Sequence, residues 1–396
     1  MNTPICDFVR QYDKHRWHMP GHKGAGRLGC ESFDITEVAG ADSLYTADGI
    51  IAESEANASA LFGCPTFYST EGSSHCIRAM LYLATRKNSR VLAFRNCHTA
   101  FLSAAALLDL DVTWVDDATE DNVTSDYAAL YVTSPDYLGH TCDISALATL
   151  CHRRGVKLLV DNAHGAYLRF LTPSRHPMDL GADLCCDSAH KTLPVLTGGA
   201  YLHTRERDGV KEALALFGST SPSYLILQSL DAANPFLEQF HPMLDLPPLP
   251  FERVGDEPLK VTLAPKSKGY TGLELAEILR NKGYECEFAD PDYLVLMPQS
   301  GEDMRVLAEL LDLPPRPPIL TAPPPLQAGQ RALSIREAML AESEWVDASA
   351  VAGRILAQPS VFCPPAVPIV VCGEVVDEAA IAAFAYYGIE KIRVVK

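Results

Sequence analysis

The hydrophobic and polar positions of the chain follow two alternating periods, and this alternation predicts the fold class. Between residues 60 and 205, short apolar runs are separated by segments with helical spacing. Such runs are typical of buried strands, because they leave no polar face toward solvent. Strands that alternate with helices predict an α/β fold, in which helices cover both faces of a mostly parallel sheet. The predicted strands are Arg90 to Phe94, Val112 to Val115, Ala129 to Thr133 and Val156 to Val160.

Helix and turn signals predict the division of the chain. A helix is predicted from Asp143 to Arg154, with Asp143 as its N-cap and Gly155 directly after its end. Two proline-rich stretches, 242–250 and 312–325, exclude regular helix and central strand. We place a domain boundary at the first stretch and a crossing loop at the second. The predicted parts are an N-terminal segment (1–45), a large domain (46–241), a proline-rich linker (242–257) and a smaller C-terminal α+β domain (258–396).

Composition and charge exclude several classes of protein. The 396 residues include 33 Lys and Arg against 50 Asp and Glu, and no long basic run predicts a nucleic-acid surface. The apolar runs are too short to span a membrane, and the charged N-terminus does not resemble a signal peptide. Twelve cysteines without a C-x-x-C pair predict reduced thiols in a cytoplasmic protein. His18 and His22 have a metal-ligand spacing, but Pro20 and Gly21 break the helix that this spacing needs, so we expect no metal site.

Residues that directly follow the predicted strands are candidates for chemistry, because ligands bind at the carboxyl ends of parallel strands. Ser69 to Ser74 precede a helical run that begins at His75, and they predict either an anion site or a simple helix cap. Asp161 would point into the same crevice, or cap a helix. Lys191 lies among small and hydroxyl residues and is a candidate Schiff-base nucleophile, although most lysines are solvated surface residues. His98 could lie against a flat aromatic ligand or be an ordinary loop histidine.

Together these candidates match the requirements of one cofactor, pyridoxal 5′-phosphate (PLP). Its aldehyde needs a lysine, its pyridine nitrogen needs a carboxylate, and its phosphate needs backbone amides and hydroxyls. The chain offers a phosphate site, an aromatic stacking residue (His98), a carboxylate (Asp161) and a lysine (Lys191), in this order. The carboxylate matters because a protonated ring nitrogen makes the cofactor an electron sink for the substrate Cα. The sequence therefore predicts a PLP enzyme.

Ten short motifs are spread over nearly the whole chain: Trp17 to Gly24, Asp34 to Glu37, Gly72 to Ser74, Arg95 to His98, Asp161 to Ala166, Ser188 to Leu193, Ser219 to Tyr224, Gly269 to Gly272, Arg336 to Ala338 and Pro364 to Pro365. In this order they resemble the Orn/Lys/Arg decarboxylase family, bacterial PLP-dependent enzymes with the aminotransferase fold (fold type I). The resemblance is to the shorter members without an N-terminal wing domain. It implies a large domain with a mostly parallel, seven-stranded type of sheet, followed by a smaller α+β domain.

The resemblance implies a role for each matching residue of the site. Lys191 would bind the aldehyde of the cofactor, Asp161 would pair with the pyridine nitrogen, and His98 would stack on the ring. His164 falls beside the ring in the family pattern. The residues expected to hold the phosphate or its immediate surroundings are Ser73, Ser74, Ser188 and His190.

The resemblance also implies an activity, a substrate class and an assembly. The reaction would be decarboxylation of a small cationic amino acid, namely arginine, lysine or ornithine, to agmatine or a diamine in polyamine metabolism. The protein would be a homodimer or an assembly of dimers, with Thr220 and Ser221 reaching a phosphate across the interface. Arg336 is a candidate for binding the substrate carboxylate, and Glu374 for facing its cationic side chain. For both residues a structural role is the alternative.

Several residues depart from the family pattern. Thr99 and Ala100 stand where the family commonly has Lys and Ser, Asn162 stands where it has Glu, and the connection between Leu230 and Pro258 is short. These changes spare the residues predicted to bind the cofactor, but they bear on substrate choice and activity. Two alternatives therefore stay open. One is another reaction on the same cofactor, such as transamination or a different lyase reaction, and the other is a non-catalytic paralogue with a binding role.

Overall fold

The computed structural model of the protein describes residues 1–242, 247–298, 300–326, 328–363 and 367–396. The motif Pro364 to Pro365 and part of the predicted proline-rich linker lie outside the described residues. The chain forms two compact units. The first unit comprises residues 1–93, 117–133 and 143–241, and the second comprises residues 94–116, 134–142 and 242–396. The four-part division predicted from the sequence stays a prediction.

Twelve α-helices are present in the described residues. They are α1 (Pro4–Gln11), α2 (Ile50–Phe62), α3 (Gly72–Thr85), α4 (Thr99–Leu108), α5 (Ile144–Arg153), α6 (Ala189–Thr192), α7 (Val210–Phe217), α8 (Tyr224–Leu237), α9 (Gly272–Asn281), α10 (Gly301–Leu310), α11 (Ile335–Leu340) and α12 (Glu378–Tyr387). The predicted signals of α5 are confirmed: the side chain of Asp143 accepts the N–H of Ala146, and Gly155 has a φ of +71°. Within the described ranges, no helix has both the length and the apolar character that a membrane span requires.

Fifteen β-strands are present in the same described residues. They are β1 (Thr66–Ser69), β2 (Arg90–Phe94), β3 (Asp111–Val115), β4 (Ala129–Thr133), β5 (Lys157–Asp161), β6 (Leu184–Asp187), β7 (Ala200–Thr204), β8 (Glu252–Val254), β9 (Val261–Ala264), β10 (Phe288–Ala289), β11 (Leu294–Leu296), β12 (Ser343–Asp347), β13 (Ser360–Phe362), β14 (Pro368–Val371) and β15 (Lys391–Val395). The four predicted strands correspond to β2, β3, β4 and β5, and each predicted boundary falls within one residue of the observed one.

The predicted mostly parallel sheet of seven strands is present. Six of its strands belong to the first unit, and their order is β1-β7-β6-β5-β4-β2. Strands β2, β4, β5 and β6 run parallel to one another, whereas β7 pairs antiparallel with both β6 and β1. The residues of β4 and β5 are nearly all buried, as expected for strands covered on both faces. The predicted α/β fold class is therefore confirmed.

The second unit has an α+β organisation, as predicted for the C-terminal part of the chain. Its main sheet has the order β10-β11-β9-β8, and every neighbouring pair is antiparallel. The strands of this sheet and helices α9 and α10 share a buried core that includes Val261, Leu275, Leu294 and Leu307. Two further pairs, β12 with β15 and β13 with β14, are also antiparallel. The proline-rich stretch 312–325 forms neither helix nor strand, which confirms that prediction.

Candidate active site

The carboxyl ends of β5 and β6 bring together the residues predicted to carry the chemistry. Strand β5 ends at Asp161 and β6 at Asp187, and the two strands are parallel neighbours with Asp161 opposite Cys186. Helix α6, which contains Lys191, begins almost directly after β6. His164 lies in the turn that follows β5. Two strand ends therefore supply a carboxylate, an imidazole and an amine to one side of the sheet.

Asp161 is a buried carboxylate with weak neutral donors around it. Its side chain is 1% exposed. One carboxylate oxygen accepts the hydroxyl of Tyr131 at 3.1 Å, and the other accepts the N–H of Ala163 at 3.2 Å and lies 3.6 Å from the thiol of Cys186. A buried carboxylate is costly unless a positive group or several donors pair with it. This side chain can therefore pair strongly with a protonated pyridine nitrogen.

Lys191 and His164 form a pair across the two strand ends. The amine Nζ of Lys191 lies 3.2 Å from Nε2 of His164. Lys191 is half-buried and His164 is 6% exposed. An amine held against an imidazole in a shielded place can lose and regain a proton, which a lysine nucleophile must do.

The first turn of α3 offers hydroxyl and backbone N–H groups to an anion. No described side chain caps this helix, so the structure does not support the alternative of a simple helix cap. The hydroxyl of Ser188 donates to Ser73 Oγ at 2.8 Å, which joins the start of α3 to the end of β6. Ser74 lies half-buried beside Ser73. Gly72 has a φ of +74°, a conformation that favours glycine and lets the chain turn sharply into the helix. This arrangement suits a phosphate group.

The other predicted phosphate residues of the first unit are His190, Thr220 and Ser221. The Nδ1 atom of His190 lies 3.0 Å from the carbonyl oxygen of Gly199. Thr220 and Ser221 are exposed, and their loop is tied to the start of α3 because Ser219 donates its N–H to the carboxylate of Glu71 at 2.6 Å. Contact of any of these residues with a phosphate stays a prediction.

Three predicted site residues, His98, Arg336 and Glu374, belong to the second unit, where each has hydrogen-bond partners. His98 is exposed and precedes α4, and its Nδ1 accepts the N–H of Ala100 at 3.1 Å. Arg336 donates to the carbonyl oxygen of Ala106 at 2.7 Å, in the last turn of α4. Glu374 forms a bidentate ion pair with Arg95 and also accepts the backbone N–H of Val371 in β14. Stacking by His98 and substrate binding by Arg336 and Glu374 stay predictions.

A second buried carboxylate lies beside the candidate site, and sequence reasoning gave it no role. Oδ2 of Asp187 lies 3.1 Å from Nε2 of His176 and 3.0 Å from Nε2 of His203. Oδ1 accepts the side-chain amide of Asn162 at 2.7 Å. All four side chains are completely buried. A polar residue at the end of β6 was the one available signal, because no local pattern marks the two histidines.

The charge state of this cluster follows from its donors. Burial opposes ionisation of Asp187, but His176 and His203 outweigh burial and hold the pKa of its carboxyl well below the usual range. Burial lowers the pKa of His203, which favours the neutral ring. Within the described residues, these three side chains also form a group whose ligand atoms could hold a metal ion. The expectation of no metal site stays a prediction.

The first unit fits PLP in the chemistry of its donors. Asp161 supplies a buried negative charge, Lys191 supplies an amine beside an imidazole, and the uncapped start of α3 supplies N–H groups next to two serine hydroxyls. These are the three kinds of contact that the pyridine nitrogen, the aldehyde and the phosphate require. All of these groups lie at or shortly after the carboxyl ends of strands β1, β5 and β6.

Comparisons with known proteins agree with this chemistry. The family described as "Orn/Lys/Arg decarboxylase, major domain" matches residues 3–123 and 112–241, which is more than half of the chain. The "Uncharacterized protein YaaO" of Bacillus subtilis is 27% identical over 450 aligned positions, covering 96% of this chain and 93% of that protein. An "Arginine decarboxylase" of Halalkalibacterium halodurans is 29% identical over 455 positions, covering 96% of this chain and 92% of the relative.

Solved structures show the same fold at lower identity. The constitutive lysine decarboxylase of E. coli superimposes with a TM-score of 0.75 at 16% identity, over 100% of this chain and 82% of that one. Lysine decarboxylase A of Pseudomonas aeruginosa gives a TM-score of 0.77 at 18% identity, over 99% of this chain and 80% of that one. From the match over its large domain, the chain belongs to the Orn/Lys/Arg decarboxylase family of amino-acid decarboxylases, for which PLP is the implied cofactor.

Proposed function

We propose that this protein decarboxylates a basic amino acid with PLP, and that arginine is its substrate and agmatine its product. The observation that carries the proposal is the placement of Asp161 at the end of β5 and of Lys191 in the short helix that follows β6, the parallel neighbour of β5. Arginine comes first because relatives from H. halodurans and B. subtilis are named arginine decarboxylases. Lysine and ornithine, each giving a diamine, are the alternatives within the same class.

The residues of the first unit would divide the work of holding the cofactor. Lys191 would bind its aldehyde, and the charge of Asp161 would keep a proton on its pyridine nitrogen. The hydroxyls of Ser73 and Ser188 and the first N–H groups of α3 would bind its phosphate. When bound, PLP supplies a positively charged ring that accepts the electron pair released as the Cα–carboxylate bond of the substrate breaks.

His164 would accept a proton from Lys191 and return it. Its Nε2 lies 3.2 Å from Nζ of Lys191, so a proton can pass between the two atoms without a large movement. The ring is nearly buried, and bulk water therefore competes little for that proton. This role requires only groups that the chain itself supplies.

A spectroscopic experiment followed by a product assay tests the proposal. The purified protein is titrated with PLP while its visible absorption is recorded, then treated with borohydride, digested and mapped. We expect an absorption band and a modification on Lys191. Carbon dioxide release is then measured with arginine, lysine and ornithine, and the amine product is identified. A keto acid or an aldehyde instead of an amine would show a different PLP reaction, and no cofactor binding would favour the non-catalytic paralogue.

The assembly and cellular setting are part of the same proposal. We infer a homodimer or an assembly of dimers, located in the cytoplasm, whose product enters polyamine metabolism. Thr220 and Ser221, which are exposed, would then reach the phosphate of a neighbouring subunit. Sedimentation of the PLP-bound protein tests this point: a dimer is expected, and a monomer at micromolar concentration would contradict a shared site.

A further inference from the structure

Asp187 is a fully buried carboxylate that the proposed chemistry does not use. Its two oxygens receive three side-chain N–H groups, from His176 at 3.1 Å, His203 at 3.0 Å and Asn162 at 2.7 Å. The thiol of Cys185 is a fourth, weaker neighbour at 3.8 Å. A buried charge is tolerated where donors surround it in this way, and such charged hydrogen bonds hold their geometry tightly. These hydrogen bonds therefore hold the carboxylate of Asp187 in one position at the end of β6.

Asn162 connects Asp187 to the candidate site. It directly follows Asp161 and belongs to the same turn as His164. Its backbone N–H donates to the carbonyl oxygen of Cys186 at 3.0 Å, and its side-chain amide donates to Asp187. Asp187 in turn directly precedes Ser188 and the helix of Lys191. One side-chain hydrogen bond thus joins the turn after β5 to the turn after β6.

The absence of a side chain at Gly165 leaves room for Asn162 to make this contact. A Cβ atom at Gly165 would lie 2.0 Å from Oδ1 of Asn162, so a side chain at that position would push the amide out of place. A carboxylate side chain at position 162 would bring a second negative charge toward Asp187. A neutral amide that donates a hydrogen bond is what the carboxylate of Asp187 requires.

We propose that Asp187 is a positioning residue of the active site, which acts through Asn162 to hold the turn of Asp161 and His164 in register with Lys191. The inference rests on the proposed function, because this register matters only if the cofactor bridges the two turns. It goes beyond that function by placing a buried histidine–aspartate cluster in the machinery that orders the site.

Direct hydrogen bonds account for the cluster without a metal ion. A histidine that binds a metal must present a lone pair to it. The backbone N–H of Met178 points at Nδ1 of His176 at 3.4 Å, which places the ring proton on Nε2, facing Asp187. This ring therefore donates to the carboxylate. Metal analysis of the purified protein checks this assignment.

The test is a set of four proteins: wild type, Asn162→Asp, Asp187→Asn and the double variant with both changes. Each is titrated with PLP, and the apparent Kd is read from the visible absorption, with the thermal midpoint of the cofactor-free protein measured in parallel. Asn162→Asp sets two carboxylates against each other, so we expect the Kd to rise about tenfold or more. The double variant restores one amide and one carboxylate in reversed order, so we expect most of the affinity to return.

A matched control separates positioning from general loss of stability. Asn234 is also fully buried in the first unit and donates its amide to the hydroxyl of Tyr68 at 2.9 Å. Asn234→Asp also introduces a buried carboxylate, and it should lower the thermal midpoint while the Kd for PLP stays at the wild-type value.

The outcomes distinguish this inference from the proposed function. If wild type does not bind PLP at Lys191, the proposed function fails and the inference falls with it. If wild type binds but Asn162→Asp binds equally well, or the double variant binds no better than the single ones, the positioning role is overturned. If Asn162→Asp does not fold, the double variant is compared with Asp187→Asn in the same way. One metal ion per chain, with lower PLP affinity after chelation, would also overturn the inference.

Discussion

The amine of Lys191 lies 3.2 Å from Nε2 of His164, and this contact joins the two strand ends on which the candidate site is built. His164 lies in the turn that follows β5, and Lys191 lies in helix α6, which follows β6. A proton can pass between two nitrogen atoms at this distance without a large movement. We propose that His164 controls the protonation of Lys191 through this contact.

Replacing His164 by Gln tests this control. Glutamine keeps a hydrogen-bonding side chain of similar reach but does not titrate near neutral pH. We expect kcat for decarboxylation to fall about 10²-fold or more, because a positioned acid–base group contributes on that scale. In a plot of kcat against pH, the change caused by titration of this group should also disappear. His152→Gln, a change at a histidine on the surface of the same unit, serves as the control, and equal kcat values for His164→Gln and wild type would contradict the role.

Replacing Lys191 by Ala tests the covalent attachment. Without the amine, borohydride should fix no cofactor at this position, and decarboxylation should fall by at least about 10³-fold, as for loss of a nucleophile. The exposed Lys87 provides a matched control, since Lys87→Ala removes an amine from the same unit. Decarboxylation that persists undiminished in Lys191→Ala would show that another lysine binds the cofactor.

Replacing Asp161 by Asn tests the carboxylate. The amide keeps the shape of the side chain and can still accept the hydroxyl of Tyr131, but it has no charge to pair with the pyridine nitrogen. We expect PLP still to bind while kcat falls about 10²-fold or more, because the loss removes electrostatic stabilisation of the transition state. Asp183→Asn, at a half-buried carboxylate before β6, is the control. Full activity in Asp161→Asn would exclude the proposed pairing.

The sheet could be predicted where its strands are strongly apolar. Strands β4 and β5 read clearly from the sequence, because strands buried on both faces contain consecutive apolar residues. Strands β1 and β7 were not predicted, since they carry Thr, Ser and His among their buried residues and pair antiparallel at one side of the sheet. Helix α3 also begins at Gly72 rather than at the predicted His75.

The candidate site could be predicted only as far as residues adjoin strand ends. Asp161 and Lys191 followed from that rule and from their chemistry. His176 and His203 could not be found in this way, because His176 lies in a loop and His203 lies within β7, before its last residue. Only the folded chain brings them to Asp187. Asn162 could be read as a departure from a family pattern, but its reason appears only with its partner.

The ion pair of Glu374 with Arg95 predicts a structural phenotype at a position that the sequence suggested for substrate binding. Glu374 is 3% exposed and meets Arg95 with both oxygens. Removing one partner of a buried pair costs about 3–5 kcal/mol, so Glu374→Gln should lower the thermal midpoint clearly. KM for arginine should stay near the wild-type value. Glu344→Gln, at an exposed ion pair with Arg354, is the control and should change little. A large rise in KM without loss of stability would restore the substrate role.

Arg336 predicts a similar phenotype by a different contact. Its guanidinium donates to the carbonyl oxygens of Ala106 and Leu107, which belong to the last turn of α4 and have no partner further along the helix. Arg336→Gln should therefore destabilise the second unit by about 1–3 kcal/mol, as expected for a charged hydrogen bond, and leave KM unchanged. Denaturant unfolding and steady-state kinetics check both parts. If KM for arginine rises while the unfolding midpoint stays the same, Arg336 binds the substrate carboxylate.

Buried His75 predicts how the stability of the protein depends on pH. Burial lowers the pKa of its imidazole, which is 1% exposed and lies between the hydroxyl of Ser69 at 2.8 Å and the carbonyl oxygen of Leu214 at 2.7 Å. The unfolded chain takes up a proton at this residue below about pH 6.5, whereas the folded chain takes it up only at a lower pH. The unfolded state then binds more protons, so the free energy of unfolding falls as the pH falls, by up to about 1.4 kcal/mol per pH unit for this group.

Urea unfolding at about pH 7.5 and about pH 5.5 measures this dependence. His75→Gln should be less stable than wild type at the higher pH, because two buried hydrogen bonds change, but its stability should fall less steeply toward the lower pH. His203, whose pKa burial also lowers, acts in the same direction and keeps part of the slope in both proteins. Asn234→Leu, which perturbs the same unit without removing a titrating group, should be destabilised with the wild-type slope. An unchanged slope in His75→Gln would mean that His75 gains its proton equally well in the folded and unfolded chain.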